Sequence, residues 1–385
     1  MAKSVYVGVG GVAKKVKNIY VGVEGKARKV IKAYVGVNGV AKLFYERKKE
    51  VGKVSNLSNY TYRCTRLAVI GDYVLLLSTV DSNNDKNYDV SYVETYNSSF
   101  TLGSASNLSK ARAGMSIGNI GDKYVMIIGG NPISGNSVEA IDVIDVYDKS
   151  LTTKQLQYPD KKGIDSLSTC NFNNNCICAG GCNSDAAHKS EVYRYDTSLT
   201  YTQLTSLKYV ASTSASSVVG DYALFATGTS TRSSSSYNYV THYNSSFTHG
   251  ELLNIISGRE SAGGSYNSKY ALFAGGSINY TSTSTHLSVV DTFDSSLTKG
   301  TAPDINTKGS FTYGHNTTIG DYAVFKPGGS GGKTPECYDS TLTKTILPDV
   351  SDMVVGNIVT FKEYILCIIF DSNDATHIER YKLAY

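Results

Sequence analysis

The chain has 385 residues, of which 41% are hydrophobic and 18% are charged, with 36 Gly, 6 Pro, 30 Tyr and no Trp. This composition is ordinary for a folded globular protein, and it excludes collagen-like, coiled-coil and wholly disordered chains. The longest apolar run, from Tyr364 to Phe370, is too short for a membrane-spanning helix, and the N-terminus lacks the apolar core of a secretory signal. We therefore expect no membrane insertion.

Charge is divided unevenly along the chain. Residues 1–50 contain ten Lys, two Arg and three Glu, a net charge of +9, so the other 335 residues carry a net charge of −5. A basic segment on a mildly acidic body predicts an anionic partner or an acidic neighbour in an assembly. We do not expect nucleic acid as that partner, because the segment has a regular β-pattern and no groove-reading motif.

The first 46 residues contain a 14-residue repeat. The tetrapeptide Tyr-Val-Gly-Val begins at Tyr6, Tyr20 and Tyr34, and a turn and a basic strand follow each copy. The third turn is Asn38-Gly39, and Asn-Gly between alternating strands is a strong indication of a β-hairpin. A single hairpin is too small to bury a core. We therefore expect residues 1–46 to form an arm that pairs within itself, with the rest of the chain or with another copy.

A second repeat, with a period near 48 residues, fills residues 47–385. Its first marker is Gly-Asp-Tyr before an apolar strand. The Tyr or its equivalent occurs at Tyr73, Tyr124, Cys176, Tyr222, Tyr270, Tyr322 and Tyr364. Its second marker is an aromatic residue before a short polar turn, at Tyr96, Tyr147, Tyr195, Tyr243, Phe293 and Tyr338, with a seventh aromatic at Tyr381. Both markers therefore count seven units.

Each unit is predicted to contain four short strands. In the second unit these are Ser116–Ile120, Tyr124–Ile128, Ile141–Tyr147 and Lys154–Gln157. Four short strands in a repeat of about 45 residues are typical of a β-propeller blade. The sequence therefore predicts an all-β chain in which seven four-stranded blades form a propeller.

The two ends of the repeat region predict how the ring closes. The seventh unit supplies only three strands, at 357–361, 364–370 and 378–383. The segment 52–58 closely matches the segment 103–109, which is the outer strand of the first unit. We expect the N-terminal segment to complete the last blade, because this pairing removes a free sheet edge.

Residues 47–385 resemble the kelch class of β-propellers. The matching features are the double Gly that ends the second strand, a later Tyr-Asp, and an Arg that leads into the next blade. They occur at Gly129-Gly130, Gly180-Gly181, Gly275-Gly276, Gly328-Gly329, Tyr147-Asp148, Tyr195-Asp196, Tyr338-Asp339, Arg112 and Arg259. Kelch units usually carry a Trp after the Tyr, and here Leu or Phe takes its place. Kelch propellers include interaction modules and enzymes, so the resemblance leaves the function open.

The arm resembles basic hairpin modules in tail-associated and other virion proteins of phages and prophages of Gram-positive gut bacteria. The matching pattern is Tyr-Val-Gly-Val followed by Gly-Val-Ala-Lys-Lys-Val, in three copies. The resemblance implies a virion protein that is made in the host cytoplasm. It also implies that the arm contacts other virion proteins or sister subunits.

Loop length predicts which face of the propeller binds. Strands in a blade run alternately up and down, so the loops after the second and fourth strands share one face. The loops after the second strands are long and rich in Ser, Thr, Asn, Gly and Tyr, a composition found in adaptable binding surfaces. The plain alternative is that solvated loops have this composition anyway. The candidate contacts are Asn87, Tyr88, Asn131, Asn136, His188, Arg232, Tyr237, Tyr239, Asn279, Tyr280 and His286.

Two arginines, Arg112 and Arg259, lie in the loops after fourth strands and have two interpretations. They could line the mouth of the channel and bind a ligand, or bond to carbonyl groups of neighbouring blades. Glu260 next to Arg259 is the only trace of the carboxylate and Arg that a kelch-type sialic-acid mutarotase would need there.

We expect no cofactor and no metal. Cys170, Cys176, Cys178 and Cys182 lie within thirteen residues but lack the paired C-x2-C spacing of zinc sites. Cys176 and Cys178 alternate along a strand and so share a face, as small buried hydrophobes do. The six His form no metal-spaced pair.

Catalysis is not the function we expect, because the sequence has no Gly-x-Ser-x-Gly elbow and no phosphate loop. The interpretation is a non-enzymatic binding protein of a virion. Its arm would mount it, and the long-loop face would bind a host-surface glycan or protein. Two alternatives remain open: a carbohydrate-active propeller enzyme of the mutarotase or oxidase kind, and a bacterial cytoplasmic scaffold.

Overall fold

The computed structural model describes the chain except for residues 1–5, 10–11, 16–19, 24–25, 30–31, 38–39, 47–50, 57–61, 82–87, 133–139, 184, 186, 213, 227, 229–237, 253–254, 256–257, 279–284, 310, 312–315, 327–333, 348–352, 371–375 and 383–385. For the described positions among 6–65, 80–81, 88–90, 252, 353–356, 370 and 376, only the backbone is described. Regular structure in these residues consists of β-strands alone. No helix there has the length and apolarity needed to cross a membrane.

The described residues fall into two compact units, one within 1–51 and 381–385 and one within 52–380. The first unit contains three antiparallel pairs of strands. They are β1 Tyr6–Val9 with β2 Val12–Lys15, β3 Tyr20–Val23 with β4 Lys26–Lys29, and β5 Lys32–Val37 with β6 Val40–Glu46. The predicted turn at Asn38-Gly39 lies outside the described residues.

The second unit contains seven four-stranded antiparallel sheets, numbered here as blades 1 to 7. Blade 1 consists of β8 Tyr62–Ile70, β9 Tyr73–Asp81, β10 Tyr88–Asn97 and β11 Leu102–Ser104. Blade 2 consists of β12 Ser116–Ile120, β13 Tyr124–Ile128, β14 Val143–Asp148 and β15 Thr153–Gln157. Blade 3 consists of β16 Ser168–Phe172, β17 Asn175–Ala179, β18 Val192–Tyr195 and β19 Tyr201–Leu204. Blade 4 consists of β20 Ala215–Val219, β21 Tyr222–Ala226, β22 Val240–Asn244 and β23 His249–Leu252.

Blade 5 consists of β24 Gly263–Tyr266, β25 Tyr270–Ala274, β28 Val290–Asp294 and β29 Lys299–Ala302. A small ribbon of β26 Ser277–Ile278 and β27 Thr285–His286 lies between its second and third strands. Blade 6 consists of β30 Asn316–Ile319, β31 Tyr322–Phe325, β32 Glu336–Tyr338 and β33 Lys344–Ile346. Blade 7 consists of β34 Met353–Phe361, β35 Tyr364–Phe370, β36 Thr376–Lys382 and, as its outer strand, β7 Val51–Asn56. The predicted seven-bladed propeller, with its last blade closed by an N-terminal strand, is confirmed.

The second strand begins at the predicted Tyr in six blades, and the prediction is wrong by one residue in blade 3. Cys176 pairs with Tyr195 as Val125 pairs with Tyr147, so Asn175 and not Cys176 takes the place of the tyrosine. The reason is that Asn175 is not aromatic, so the tyrosine position has no marker in this blade. The turn before it has two residues, as in blades 1, 4, 6 and 7, and both of them, Asn173 and Asn174, have positive φ angles of 48° and 57°, as a primed turn requires.

The second sequence marker forms the same turn in blades 1 to 6. In blade 2 the Asp148 Oδ1 accepts hydrogen bonds from the backbone N–H groups of Ser150 at 2.8 Å and Thr152 at 2.9 Å. The residue equivalent to Leu151 takes a positive φ of about 60° each time, at Phe100, Leu151, Leu199, Phe247, Leu297 and Leu342. A left-handed non-glycine residue is unfavourable by about 1 kcal/mol or more. Its side chain packs against the core between two blades, which offsets that strain.

The core consists of layers between neighbouring blades. Met126 and Ile128 of blade 2, for example, pack against Cys176, Cys178 and Tyr195 of blade 3. The equivalent position of Ile128 in blade 6 is Lys326, which is 1% exposed. Desolvation lowers the pKa of Lys326 to about 8.

The double Gly allows the chain to leave the second strand close to the next blade. Gly129 has a φ of +57°, and a Cβ there would collide with the carbonyl oxygen of Ile164. The N–H of Gly130 donates to that same carbonyl at 2.8 Å. The second strand of blade 2 is thereby joined to the segment that leads into blade 3.

Candidate functional site

The inner ends of the first strands enclose a cavity of about 260 Å³ on the long-loop face. We call it the axial cavity. All seven blades contribute to its wall, and one wall residue from each blade is Arg66, Ser116, Ser168, Ser216, Gly264, Asn316 and Asn357. Apolar side chains, including Met115, Leu167 and Phe311, complete the wall.

Small polar residues line the inner strands because they join the blades. A side-chain hydroxyl or amide donates to a backbone carbonyl of the adjacent blade at each of the seven junctions. The pairs are Asn119 to Val69 (2.9 Å), Thr169 to Ile117 (2.5 Å), Ser216 to Thr169 (2.6 Å), Ser217 to Ser265 (2.6 Å), Ser265 to Thr317 (2.6 Å), Thr360 to Thr318 (2.6 Å) and Asn357 to Leu67 (2.7 Å). These polar groups therefore hold the ring together.

Two lining residues have a different character. Arg66, in β8, is 6% exposed and is the one charged side chain among the described residues that line the axial cavity. The hydroxyl of Ser214 is buried and has no hydrogen-bond partner among the described residues. Neither residue was predicted from the sequence.

Arg112 and Arg259 are completely buried inside their blades. The Arg112 guanidinium pairs with the Asp145 carboxylate and donates to the Val143 carbonyl at 2.9 Å. Burial lowers the pKa of Arg112 to about 10, so it remains charged at neutral pH. Arg259 Nη2 lies 2.8 Å from Asp291 Oδ2. The structure thus favours the interpretation that both arginines stabilise the fold. The prediction placed their partners in neighbouring blades, whereas each arginine bonds within its own blade.

Glu260, which follows Arg259, is 1% exposed, and desolvation raises its pKa. Its Oε1 has no hydrogen-bond partner among the described residues. Arg259 and Glu260 are not among the described residues that line the axial cavity. Arg259 and Glu260 are adjacent in sequence, but they do not provide an arginine and a carboxylate in the wall of the axial cavity.

Two predicted residues connect a long loop to the next blade. Asn131 Nδ2 donates to Asp165 Oδ2 at 2.5 Å, and Asp165 precedes blade 3. His188 Nδ1 lies 3.0 Å from the Ser212 hydroxyl, and Ser212 precedes blade 4. Both residues lie on the long-loop face and are only partly exposed.

The third well-described candidate, Tyr239, belongs to an aromatic cluster on the same face. Its ring centroid lies 5.1 Å from that of Tyr209, with an angle of 51° between the rings. Lys208 Nζ lies 4.4 Å from the Tyr239 centroid and 2.7 Å from Glu251 Oε2. Val210 beside them is 38% exposed. We call Lys208, Tyr209, Val210 and Tyr239 the tyrosine shelf.

The other candidates are described incompletely. His286 is exposed in β27, and the backbone of Tyr88 begins β10. Asn87, Asn136, Arg232, Tyr237, Asn279 and Tyr280 lie outside the described residues.

The cysteines have the surroundings of core residues. The Cys176 and Cys178 sulfur atoms lie 3.7 Å apart on one face of β17, which confirms the prediction of a shared face. Cys170, Cys337 and Cys367 are also buried, and desolvation raises the pKa of Cys367 to about 12. In the described part of the chain, no three His, Cys, Asp or Glu residues are arranged to hold a metal ion.

No protein-family model matches this sequence, and no curated protein matches it. Several solved structures share its fold. One is a catalytically inactive form of virginiamycin B lyase from Staphylococcus aureus with quinupristin, which is 13% identical in sequence to this chain. The two structures superpose with a TM-score of 0.60, and the match covers 88% of this chain and 100% of the lyase. A selenomethionine form of the lyase gives 12% identity, the same coverage and a TM-score of 0.58. A structure of YjhT gives 12% identity and a TM-score of 0.56, covering 77% of this chain and 100% of YjhT. At these identities the likeness establishes the fold alone.

Proposed function

We propose that the chain is a non-enzymatic binding protein whose long-loop face binds a host-surface glycan or protein. A propeller is a rigid scaffold that gathers loops from seven blades on one face, and such loops are where binding residues concentrate. The tyrosine shelf is the observation that carries this proposal, and it favours a glycan over a protein.

The tyrosine shelf has the chemistry of a sugar-binding surface. A tyrosine ring offers an apolar face to the C–H groups of a pyranose and a hydroxyl group for hydrogen bonds. Lys208 packs against Tyr239 and is itself held by Glu251, so the ring is positioned before any ligand binds. The planes of the two rings differ by 51°, so Tyr209 and Tyr239 can present their faces to a bound sugar at different angles.

The proposal includes a virion location, which rests on the sequence of the arm. Residues 1–46 resemble hairpin modules of phage virion proteins, and the first 50 residues carry a net charge of +9. The arm would attach the propeller to another virion protein or to sister copies, by strand pairing or by charge. Attraction by charge would weaken as the salt concentration rises, because dissolved ions screen the interaction.

Surface binding is tested with the full chain on a glycan array and on whole bacterial cells. Changing both Tyr209→Ala and Tyr239→Ala should reduce binding at least tenfold. The matched control is Tyr266→Ala, because Tyr266 is 42% exposed but ends β24 at the opposite face. The proposal is wrong if the wild-type chain binds neither glycans nor cells, or if the double variant binds as well as the control.

The virion location has a separate test. Mass spectrometry of purified phage particles should detect the protein. Its presence in bacterial lysates but not in particles would support the cytoplasmic scaffold instead. The two results exclude each other for a given phage preparation.

The enzyme alternative has one observation in its favour, the buried Glu260 with its raised pKa. Buried carboxylates of this kind occur at catalytic sites, and also where they are only structural. The alternative predicts turnover of a sugar that is lost in Glu260→Gln. Turnover by the wild-type chain and its loss in that variant would replace the binding proposal.

A further inference from the structure

The tyrosine shelf already holds a positive charge, the ammonium group of Lys208. Its Nζ atom lies 4.4 Å from the ring centroid of Tyr239, 6.0 Å from that of Tyr209 and 2.7 Å from Glu251 Oε2. A tyrosine ring within about 6 Å attracts a cation, and a carboxylate adds a charge-assisted hydrogen bond. We call Tyr209, Tyr239 and Glu251 the ammonium cage. The chain itself therefore shows that these three groups accommodate a primary ammonium group.

We propose that a ligand with a primary ammonium group binds in the ammonium cage by displacing Lys208, which occupies the cage as an internal mimic of that ligand. The ligand is a glycan that carries a free amino group, either on an amino sugar or on an aminoacyl ester. This inference rests on the proposed function, because it names the class of glycan that the tyrosine shelf binds.

Lys208 can leave the ammonium cage at little cost. Its side chain is 34% exposed and that of Glu251 is 35% exposed. Ion pairs between side chains as exposed as these contribute little to stability. The ammonium group is carried on a flexible four-carbon stem, so it can turn towards solvent without movement of the backbone.

The backbone and the rings of the tyrosine shelf are held by other contacts when the lysine leaves. Leu207 and Ala211 are buried at the two ends of the segment, and their N–H groups donate to carbonyl groups of the preceding loop at 2.8 Å each. The ring centroids of Tyr209 and Tyr239 lie 5.1 Å apart. The ammonium cage is therefore formed before the ligand binds, which reduces the entropy lost on binding.

The ammonium cage selects a primary ammonium group over a quaternary or an acetylated one. Glu251 Oε2 accepts a hydrogen bond from Nζ of Lys208, and a quaternary ammonium group has no N–H to donate. This hydrogen bond raises the pKa of Lys208, so an ammonium group held there stays charged at neutral pH. An acetylated amine has no charge and loses the attraction of the rings and the carboxylate. Val210, which is 38% exposed, offers an apolar contact for the C–H groups of a sugar ring.

Calorimetric titration of the full chain tests the proposal by removing the internal mimic. Lys208→Ala should bind glucosamine at least fivefold more tightly than wild type, because no lysine then competes for the ammonium cage. N-acetylglucosamine has the same ring without the charge, and the two proteins should bind it equally within twofold. Lys123→Ala is the matched control, since Lys123 Nζ lies 5.0 Å from the Tyr124 centroid on the opposite face. This control should bind glucosamine within twofold of wild type.

Two further variants keep the test decisive. Lys208→Ser removes the same ammonium group and should show the same gain if Lys208→Ala does not fold. Adding Glu251→Gln to Lys208→Ala should cancel the gain, because it removes the charge of the carboxylate and keeps its shape. The proposal is overturned if a folded Lys208 variant binds glucosamine no more tightly than wild type, if N-acetylglucosamine gains equally, or if the gain survives Glu251→Gln.

Other probes identify the source of the ammonium group. Tighter binding of alanine methyl ester than of glucosamine by Lys208→Ala would assign the group to an aminoacyl ester. Tighter binding of glucosamine would assign it to an amino sugar, and either order supports a primary ammonium group. Choline that binds more tightly than both would contradict this assignment.

Failure of this inference can be distinguished from failure of the proposed function. If wild type binds neutral glycans through Tyr209 and Tyr239 while Lys208→Ala gains nothing for glucosamine, the binding face stands and the ammonium cage is wrong. If neither wild type nor Lys208→Ala binds any glycan or cell, both proposals are wrong.

Discussion

The two faces of the propeller differ in how far they repeat. On the short-turn face, blades 1 to 6 use the same polar turn, and the charged groups of an open hollow of about 650 Å³ pair with one another, as Lys149 with Asp122 and Lys362 with Asp72. On the long-loop face the loops differ from blade to blade. The difference teaches that the repeated features build the fold, whereas the features present once, such as the tyrosine shelf, are where function is expected.

This comparison predicts that changes to the features that build the fold lower its stability. The largest effect is expected inside blade 2. Asp145→Asn removes the charge that faces the buried Arg112, and breaking such a pair is unfavourable by about 3–5 kcal/mol. Chemical denaturation measures the change. The same substitution at the exposed Asp122 should leave the unfolding midpoint unchanged, and an equal loss in both variants would contradict the distinction.

The closure of the ring is expected to show the next largest effect. Asn357 accepts from the Leu67 N–H and donates to the Leu67 carbonyl, each at 2.7 Å, across the junction of blades 7 and 1. Asn357→Ala should lower the free energy of unfolding by about 1–3 kcal/mol, because it removes both bonds. Asn119→Ala, which removes one bond at the next junction, should lower it less. A larger loss of stability in Asn119→Ala than in Asn357→Ala would show that the junction of blades 7 and 1 is not the more sensitive of the two.

Substitution of the buried Lys326 is expected to raise the stability of the fold rather than lower it. The folded-state pKa of Lys326 is lowered to about 8, whereas an ordinary lysine titrates near 10.5. Below pH 8 the charged lysine therefore destabilises the fold, and this penalty is relieved as the pH rises from about 8 to 10.5. Lys326→Met should be more stable than wild type by about 3 kcal/mol at pH 7. The difference in thermal unfolding temperature between Lys326→Met and wild type should shrink as the pH rises from about 8 to 10.5. A constant difference, or none at any pH, would contradict the prediction.

The repeated turn is expected to show the smallest effect. Asp148→Ala removes the acceptor for two backbone N–H groups and should destabilise the chain by about 1 kcal/mol. Asp148→Asn should be nearly neutral, because Asn97 and Asn244 form the same turn in blades 1 and 4. If the Asn variant were as unstable as the Ala variant, the carboxylate charge rather than the turn geometry would be responsible.

The sequence predicted the scaffold well because the scaffold repeats. The strands Ser116–Ile120 and Tyr124–Ile128 have their predicted bounds, since a tight turn and a Gly pair mark their ends. In blade 3 the predicted tyrosine position is wrong by one residue. Asn175 takes the position of the tyrosine there, and without an aromatic residue at that position the neighbouring Cys176 was aligned with it.

The site was harder to predict because its residues carry no local motif. Arg66 takes the same register position as Ser116 in blade 2, since each pairs with the residue four places after the marker tyrosine. An alignment of the first strands shows Arg66 as a charged residue at a position where blade 2 has Ser116. Tyr209 was not predicted, because it follows a fourth strand on the long-loop face, whereas the prediction rested on the length of the loops after second strands. Arg112 was predicted from its position in the loop that leads into blade 2, and its partner Asp145 is 33 residues away.

Hydrogen–deuterium exchange of the full chain, with and without a glycan that it binds, tests the central claim most directly. The account predicts slower exchange on ligand addition in residues 207–211 and 238–239 of the long-loop face. It predicts no change in the repeated turns at residues 97–101, 148–152 and 294–298. Protection confined to those turns, with no change around Tyr209 and Tyr239, would contradict the assignment of function to the face that varies.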